Sequence, residues 1–284
     1  MSRLNIKPRA RQAGFTLIEA VIVIVIMGIL GGIVAVFIKA PLQSYTDTAA
    51  RAELSDIADT AVRRISRDVR LALPNSIRLS PDGRTLGFLL TKTGGRYQAA
   101  EDGLTSGNVL DFVNGANLSF DMLGAIPSLE QQILPNDFIV VYNLGPGYAP
   151  ADAYGGGNVA TVASVNNRTV TLALNQFALQ TPIMASPGSR FQVVTGTVDY
   201  FCDLNAGTLT RFLSDRQIVA TQSSPPAGVG SLLATNVVAC NFNYTALANT
   251  RSALVQINLQ LRRPGANVDA PLVLFHQVHV DNTP

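Results

Sequence analysis

The sequence predicts an α+β chain, with one very long amino-terminal helix followed by a β-rich body built on antiparallel sheet. Three observations carry this. Residues 20–38 form a 19-residue run without a charge, dominated by Val, Ile and Leu. Beyond Pro41 the apolar residues return at helical spacings of three and four as far as Leu73. From Ser76 onward the period drops to that of strands, and Gly, Pro, Asn and Asp clusters separate the apolar runs.

The chain opens with an arm that carries Arg3, Lys7, Arg9 and Arg11 and no acid. By the positive-inside rule the arm stays in the cytoplasm and the bulk of the chain is sent outward. At about 1.5 Å per residue the 20–38 run spans roughly 28 Å, close to the hydrocarbon thickness of a bilayer. Glu19 stands at its start, where a carboxylate costs about 3 kcal/mol unless it finds a partner. A secretory signal peptide needs a shorter apolar core and a small-x-small exit, whereas Lys39 and Pro41 follow this run. A plain signal anchor explains the length and leaves Glu19 unexplained.

Pro41 removes one helical hydrogen bond and is expected to kink or interrupt the helix. The pattern then resumes: Leu54, Ile57, Ala58, Ala61, Ile65, Val69 and Leu73 make one apolar stripe. Asp59 with Arg63 and Arg64 with Asp68 are i,i+4 acid–base partners expected on the remaining surface. Pro74-Asn75 is the predicted stop. The two halves together make a helix of roughly 55 to 60 residues if they are continuous, far above the ordinary length. A membrane helix joined by a loop to a core helix has the same residue pattern and differs only in continuity.

The first hairpin is predicted at 77–90, where Ser80-Pro81-Asp82-Gly83-Arg84 supplies the turn. Further strands are expected at 109–113, 118–122, 138–142, 159–165, 169–174, 190–201 and 209–213. Loops are expected at 145–158, which includes Gly155-Gly156-Gly157, and at 223–230. Three strands close the chain at 238–244, 254–261 and 272–280. In the middle one Val255, Ile257, Leu259 and Leu261 alternate with Gln256, Asn258 and Gln260, which predicts an antiparallel sheet with one buried face.

Composition narrows the function classes. The formal net charge is +2, and removal of the four leader positives leaves 2 − 4 = −2, so nucleic acid is not an expected partner. Cys202 and Cys240 both fall in the exported part, where oxidation is the default, and are expected to form a disulfide. His276 and His279 differ by three in a predicted strand and so point to opposite faces. A zinc site from both histidines and both cysteines lacks the local ligand pairs of zinc modules. Asp203 and Asn205 are available as oxygen ligands for calcium, yet a tight turn over Asp203-Leu204-Asn205-Ala206-Gly207 selects the same residues. Gly155-Gly156-Gly157 lacks the Gly-Lys-Ser/Thr ending of a phosphate loop, and no Gly-x-Ser-x-Gly elbow accompanies either histidine. The chain is therefore read as a non-enzyme that needs no cofactor.

The basic leader, the string Gly14-Phe15-Thr16-Leu17-Ile18-Glu19 and the apolar helix resemble the class III signal of type IV prepilins and type II secretion pseudopilins. In that family a dedicated aspartic peptidase cuts after the glycine on the cytoplasmic side, and the new amino-terminal phenylalanine is N-methylated. The resemblance implies cleavage between Gly14 and Phe15 and methylation of Phe15. It also implies that Glu19 meets the free amine of a neighbouring subunit's Phe15, a pairing that offsets the cost of burying either charge alone. The implied parts are a cleaved leader (1–14), a transmembrane half-helix (15–40), an amphipathic half-helix (41–73) packed on a sheet as in pilins, and a β-rich periplasmic head (74–284). The string 276–282 and the Cys-bearing segments 200–210 and 239–244 resemble minor pilin-like biogenesis proteins of the mannose-sensitive haemagglutinin (MSHA) type IV pilus. The implied function is that of a minor pilin that primes or caps a filament; the alternatives are a minor pseudopilin of type II secretion and a membrane-anchored adhesin. Implied partners are the prepilin peptidase, other major and minor pilins, the inner-membrane pilus assembly platform and the membrane itself. The implied location is the inner membrane, crossed once, with possible entry into a surface pilus.

Overall fold

Apolar spacing of three and four becomes a single α-helix, α1 (Leu17–Arg70, 54 residues), in a computed structural model of the chain. The structure describes residues 14–104, 106–246, 251–263 and 270–284, so the leader positions Arg3, Lys7, Arg9 and Arg11 lie outside the described residues. The chain divides into two compact units, Met1–Ala52 and Glu53–Pro284.

Pro41 lies inside α1 and does not interrupt it, contrary to the break that the sequence allows. One missing ladder bond costs about 3 kcal/mol, and a helix this long keeps its ladder on both sides of the gap. The end of α1 differs as well. Leu71 and Ala72 donate to Asp68 O (3.0 Å) and Val69 O (3.1 Å), a tightened last turn. Leu73 N–H then donates to Leu89 O at 2.8 Å, so Leu73 leaves the helical stripe and packs with Leu89, Val140 and Val194.

Within the second unit the stripe Leu54, Ala58, Ala61, Val62, Ile65 and Val69 is buried. It joins Leu86, Phe88, Val198 and Tyr200 on one side and Val255, Ile257, Leu259 and Val278 on the other in one core. These partners come from two sheets. The larger holds β1 (Arg78–Leu79), β2 (Thr85–Tyr97), β3 (Ser119–Leu123), β4 (Phe138–Val140), β5 (Val159–Asn166), β6 (Thr169–Leu172), β7 (Arg190–Asp203), β8 (Thr208–Asp215) and β9 (Val229–Thr235). The smaller holds β10 (Val237–Ala246), β11 (Ser252–Leu261) and β12 (Leu272–Asp281), in that order. Every described pairing is antiparallel. The fold is α+β, as the periodicity predicts.

The larger sheet closes on itself along part of its length. β2 pairs with β3, β3 with β6, β6 with β5, β5 with β4, β4 with β7, and β7 with β2 again. This ring is filled rather than hollow: Tyr97, Phe120, Phe177, Phe191, Ile139 and Val170 form a second core, with Phe120 and Phe191 edge to face at 5.4 Å. Two long strands serve both parts. The near half of β2 and the far half of β7 pair beside the helix, and their other halves pair in the ring.

Three sequence expectations are corrected. Residues 109–113 are not a strand. Asp111 Oδ1 accepts the Val113 and Asn114 amides, each at 2.8 Å, and this turn outweighs the β propensity of Val and Phe. β2 continues past Leu90 to Tyr97 through two register shifts, and Gly95 lies under the Phe191 ring, where a Cβ would sit 3.1 Å from it. Residues 229–230 belong to β9, an edge strand that pairs with β8.

The first hairpin forms as expected, with Arg78 opposite Gly87 and Leu79 opposite Leu86. Its turn needs Gly83 at φ +68°. In β11, Val255, Ile257, Leu259 and Leu261 are all fully buried, the alternation read from the sequence.

Candidate functional site

Gly14, Phe15 and Thr16 precede the first turn of α1, and all three are exposed. Thr16 Oγ1 accepts the Glu19 N–H at 3.3 Å, and Thr16 O accepts the Ala20 N–H at 3.2 Å. Thr16 is thus the N-cap and Glu19 the third helical residue, the spacing of a capping box. The spacing Thr16-x-x-Glu19 carries that role in the sequence, beside the membrane charge and the implied pairing of Glu19. The first turn also favours an acid through the helix dipole, by roughly 0.3 to 1 kcal/mol. This is smaller than the cost of about 3 kcal/mol for a carboxylate in a bilayer centre.

The segment that contains Glu19, Leu17–Ile38, is long and apolar enough to cross a membrane: 22 residues at a mean hydropathy of 3.2, none of them buried within the chain. Phe15, Ile24, Val36 and Phe37 are each more than 70 % exposed. So much apolar surface calls for lipid or neighbouring helices as solvent.

The second half of α1 is held by a charged cluster that the sequence reading placed on the surface. Asp68 is 4 % exposed, and its Oδ2 accepts Tyr200 Oη at 2.8 Å and Arg211 Nε at 2.6 Å. Arg64 Nε lies 3.4 Å from Asp68 Oδ1. Tyr200 on β7 and Arg211 on β8 are cross-strand neighbours, so the helix acid is gripped by one rung of the sheet. Burial, with Asp68 beside it, raises the Tyr200 hydroxyl above its ordinary pKa and keeps it a donor. Asp59 and Arg63, by contrast, are the exposed pair that the sequence predicts, at 2.6 Å.

Cys202 on β7 and Cys240 on β10 form the disulfide, with Cα atoms 6.0 Å apart, and it joins the two sheets. Their sulfurs are therefore bonded to each other, and not arranged as metal ligands. His276 is half-buried and His279 exposed on the opposite face of β12. Asp203 Oδ1 accepts the Asn205 and Ala206 amides at 2.9 and 3.0 Å, which is the turn role weighed against calcium. Among the described residues no group of three or more His, Cys, Asp or Glu is placed to hold a metal ion.

A family model for the prokaryotic N-terminal methylation motif matches residues 9–35. No curated protein and no solved structure matches the chain. The match covers Gly14, Phe15, Glu19 and most of the apolar segment, and stops well short of the β-rich body. The amino-terminal end of this chain is a prepilin-type methylation motif that leads into an apolar helix suited to membrane anchoring.

Proposed function

We propose that this chain is a minor pilin-like subunit that takes part in initiation or tip assembly of an MSHA-type type IV pilus. Within that group the reading takes it to be similar to the biogenesis protein MshO, on the string 276–282 and the Cys-bearing segments 200–210 and 239–244. The observation that carries the reading is Glu19 inside a methylation motif: it lies five residues into a chain cut before Phe15, at the head of an apolar helix long enough to cross a membrane. In this reading the prepilin peptidase cuts between Gly14 and Phe15, and Phe15 is N-methylated. The apolar half-helix is held in the inner membrane, and the β-rich part lies in the periplasm. The subunit then moves from the assembly platform into contact with other pilins, where Glu19 meets the Phe15 amine of a neighbour. Its work is packing and not catalysis.

The test is complementation of a deletion strain with Glu19→Leu, scored by surface pilus counts. If the anchor were only a tether, removal of the acid would improve insertion and leave function intact. If the acid pairs with a neighbour's amine, its loss leaves that cation unpaired in an apolar bundle, which costs several kcal/mol. The variant is expected to be cut and anchored normally and to leave the cells without pili. Wild-type piliation would sink the pairing.

A further inference from the structure

We infer that the groove between α1 and the free edge of β12 receives an extended acidic segment of a different subunit, added to β12 as a further strand. β12 is joined to β11 through an unbroken register from Ser252↔Asp281 to Leu261↔Leu272. Among the described residues no strand pairs with its other side. Native edges are usually blunted by Pro, Lys, a bulge or a cover. β12 reads Leu-Val-Leu-Phe-His-Gln-Val-His-Val-Asp, with neither Pro nor Lys and no register shift. Val273 and Phe275 are more than half exposed on its outer face. Such an edge presents unpaired amides and carbonyls to any chain that can lie beside it.

The groove holds about 670 Å³, with Arg67, Arg70 and Leu71 on the helix wall and Leu274, Phe275 and His276 on the strand wall. Its charge selects the occupant. Arg63 is neutralised by Asp59 at 2.6 Å, whereas Arg67 and Arg70 are exposed and form no ion pair with a described residue. A segment with carboxylates on the side that faces α1 supplies the complement, while its backbone pairs with β12. A second copy of this chain fits poorly. Antiparallel pairing of two β12 edges would bring both sets of Arg67 and Arg70 to one seam, where like charges repel. The partner is therefore a different polypeptide, which deepens the assembly reading by naming a contact and rests on that reading only for calling the partner a subunit.

The test places photoreactive p-benzoylphenylalanine at position 275 of the full-length protein in its own membrane, with the adduct mapped by mass spectrometry. The expected adduct is one peptide of another protein that carries at least two carboxylates at alternate positions. Arg67→Glu combined with Arg70→Glu should lower the adduct tenfold or more, and Lys in place of the partner's acids should restore it. An unchanged denaturant midpoint of the β-rich unit reports that the reversed variant is folded. An adduct with lipid, with a second copy or with an acid-free peptide overturns the inference, as does no adduct or a yield indifferent to charge reversal. Cleavage after Gly14 and pilus counts are read in the same cells. Normal cleavage and piliation without the adduct remove the groove alone, and the charge-dependent adduct on a chain that is never cut removes the pilin reading alone.

Discussion

Asp68 and Asp199 are both buried carboxylates, and their surroundings give them opposite consequences. Asp68 receives two strong hydrogen bonds, from Tyr200 and Arg211, and a second cation stands nearby at Arg64. Its removal leaves Arg211 buried without its counter-charge. Asp68→Ala is therefore expected to destabilise the β-rich unit by about 3 to 5 kcal/mol. Denaturant unfolding of the full chain in detergent measures this, and Asp68→Leu combined with Arg211→Met should recover most of it, since a well-packed apolar pair replaces a buried ionic one at little net cost. Among the described residues Asp199 accepts a hydrogen bond only from Gln222 Nε2, at 3.1 Å, and burial pushes its carboxyl pKa up, against the pull of Gln222 and Arg78. A carboxyl that holds its proton more tightly when folded favours the folded state at low pH. That contribution is lost as the pH rises from the ordinary carboxylate range through the raised folded value. The Tm difference between Asp199→Asn and the parent should accordingly move in the variant's favour as the pH rises from the ordinary carboxylate range upward. A difference that stays constant over that rise would show that Asp199 does not titrate in this way.

At the scale of elements, β7 is the common member: it pairs with β2, β4 and β8 and carries Cys202, whose disulfide reaches β10 in the smaller sheet. The backbone makes few other links between the sheets, among them Phe242 N–H to Gly83 O at 2.8 Å and Val237 N–H to Gly207 O at 3.0 Å. The bond spans a sequence separation of 38, and a loop of that size stabilises by on the order of 4 kcal/mol in the chain-entropy model. Cys202→Ala or Cys240→Ala should lower the midpoint of unfolding and the steady-state level of the protein by the same amount as each other. Alkylation of two free thiols in native, non-reduced protein would contradict the bond. The elements that differ from expectation share a cause. The lost strand at 109–113, the gained length of β2 and the unexpected strand β9 were decided by partners elsewhere in the chain or by a side-chain-capped turn, and not by local apolar period.

For the whole molecule the deciding event in the proposed pathway is the cut at Gly14. It removes four positive side chains, takes the formal charge from +2 to 2 − 4 = −2, and creates the amine that Glu19 is proposed to meet. Arg at position 14 would place a long charged side chain where the peptidase accepts a small residue. Gly14→Arg is expected to accumulate as an anchored precursor with its leader intact, and amino-terminal sequencing of the parent should read from Phe15. A parent that begins at Met1, at Ser2 or near Ala40 would remove the prepilin reading while leaving the fold as described.

The sequence by itself determined the features that depend on neighbours along the chain. The apolar run, the methylation motif from 9 to 35, the helical stripe from Leu54 to Val69 and the alternation of β11 are periodic or contiguous, so a local reading captures them. Two cysteines beyond an apolar anchor segment, Cys202 and Cys240, were enough to predict their bond. What only the tertiary structure decided depends on residues far apart in sequence. The ring of β2, β3, β6, β5, β4 and β7 is closed by pairings between residues about a hundred positions apart, such as Arg96 with Arg190. Asp68 reads as a surface partner of Arg64, because an i,i+4 pair has the same spacing on either face of a helix. It is buried because Tyr200 and Arg211, more than 130 positions later, meet it there. Hydrophobic period fixes which face of an element is covered, and closure of the chain in space decides what covers it.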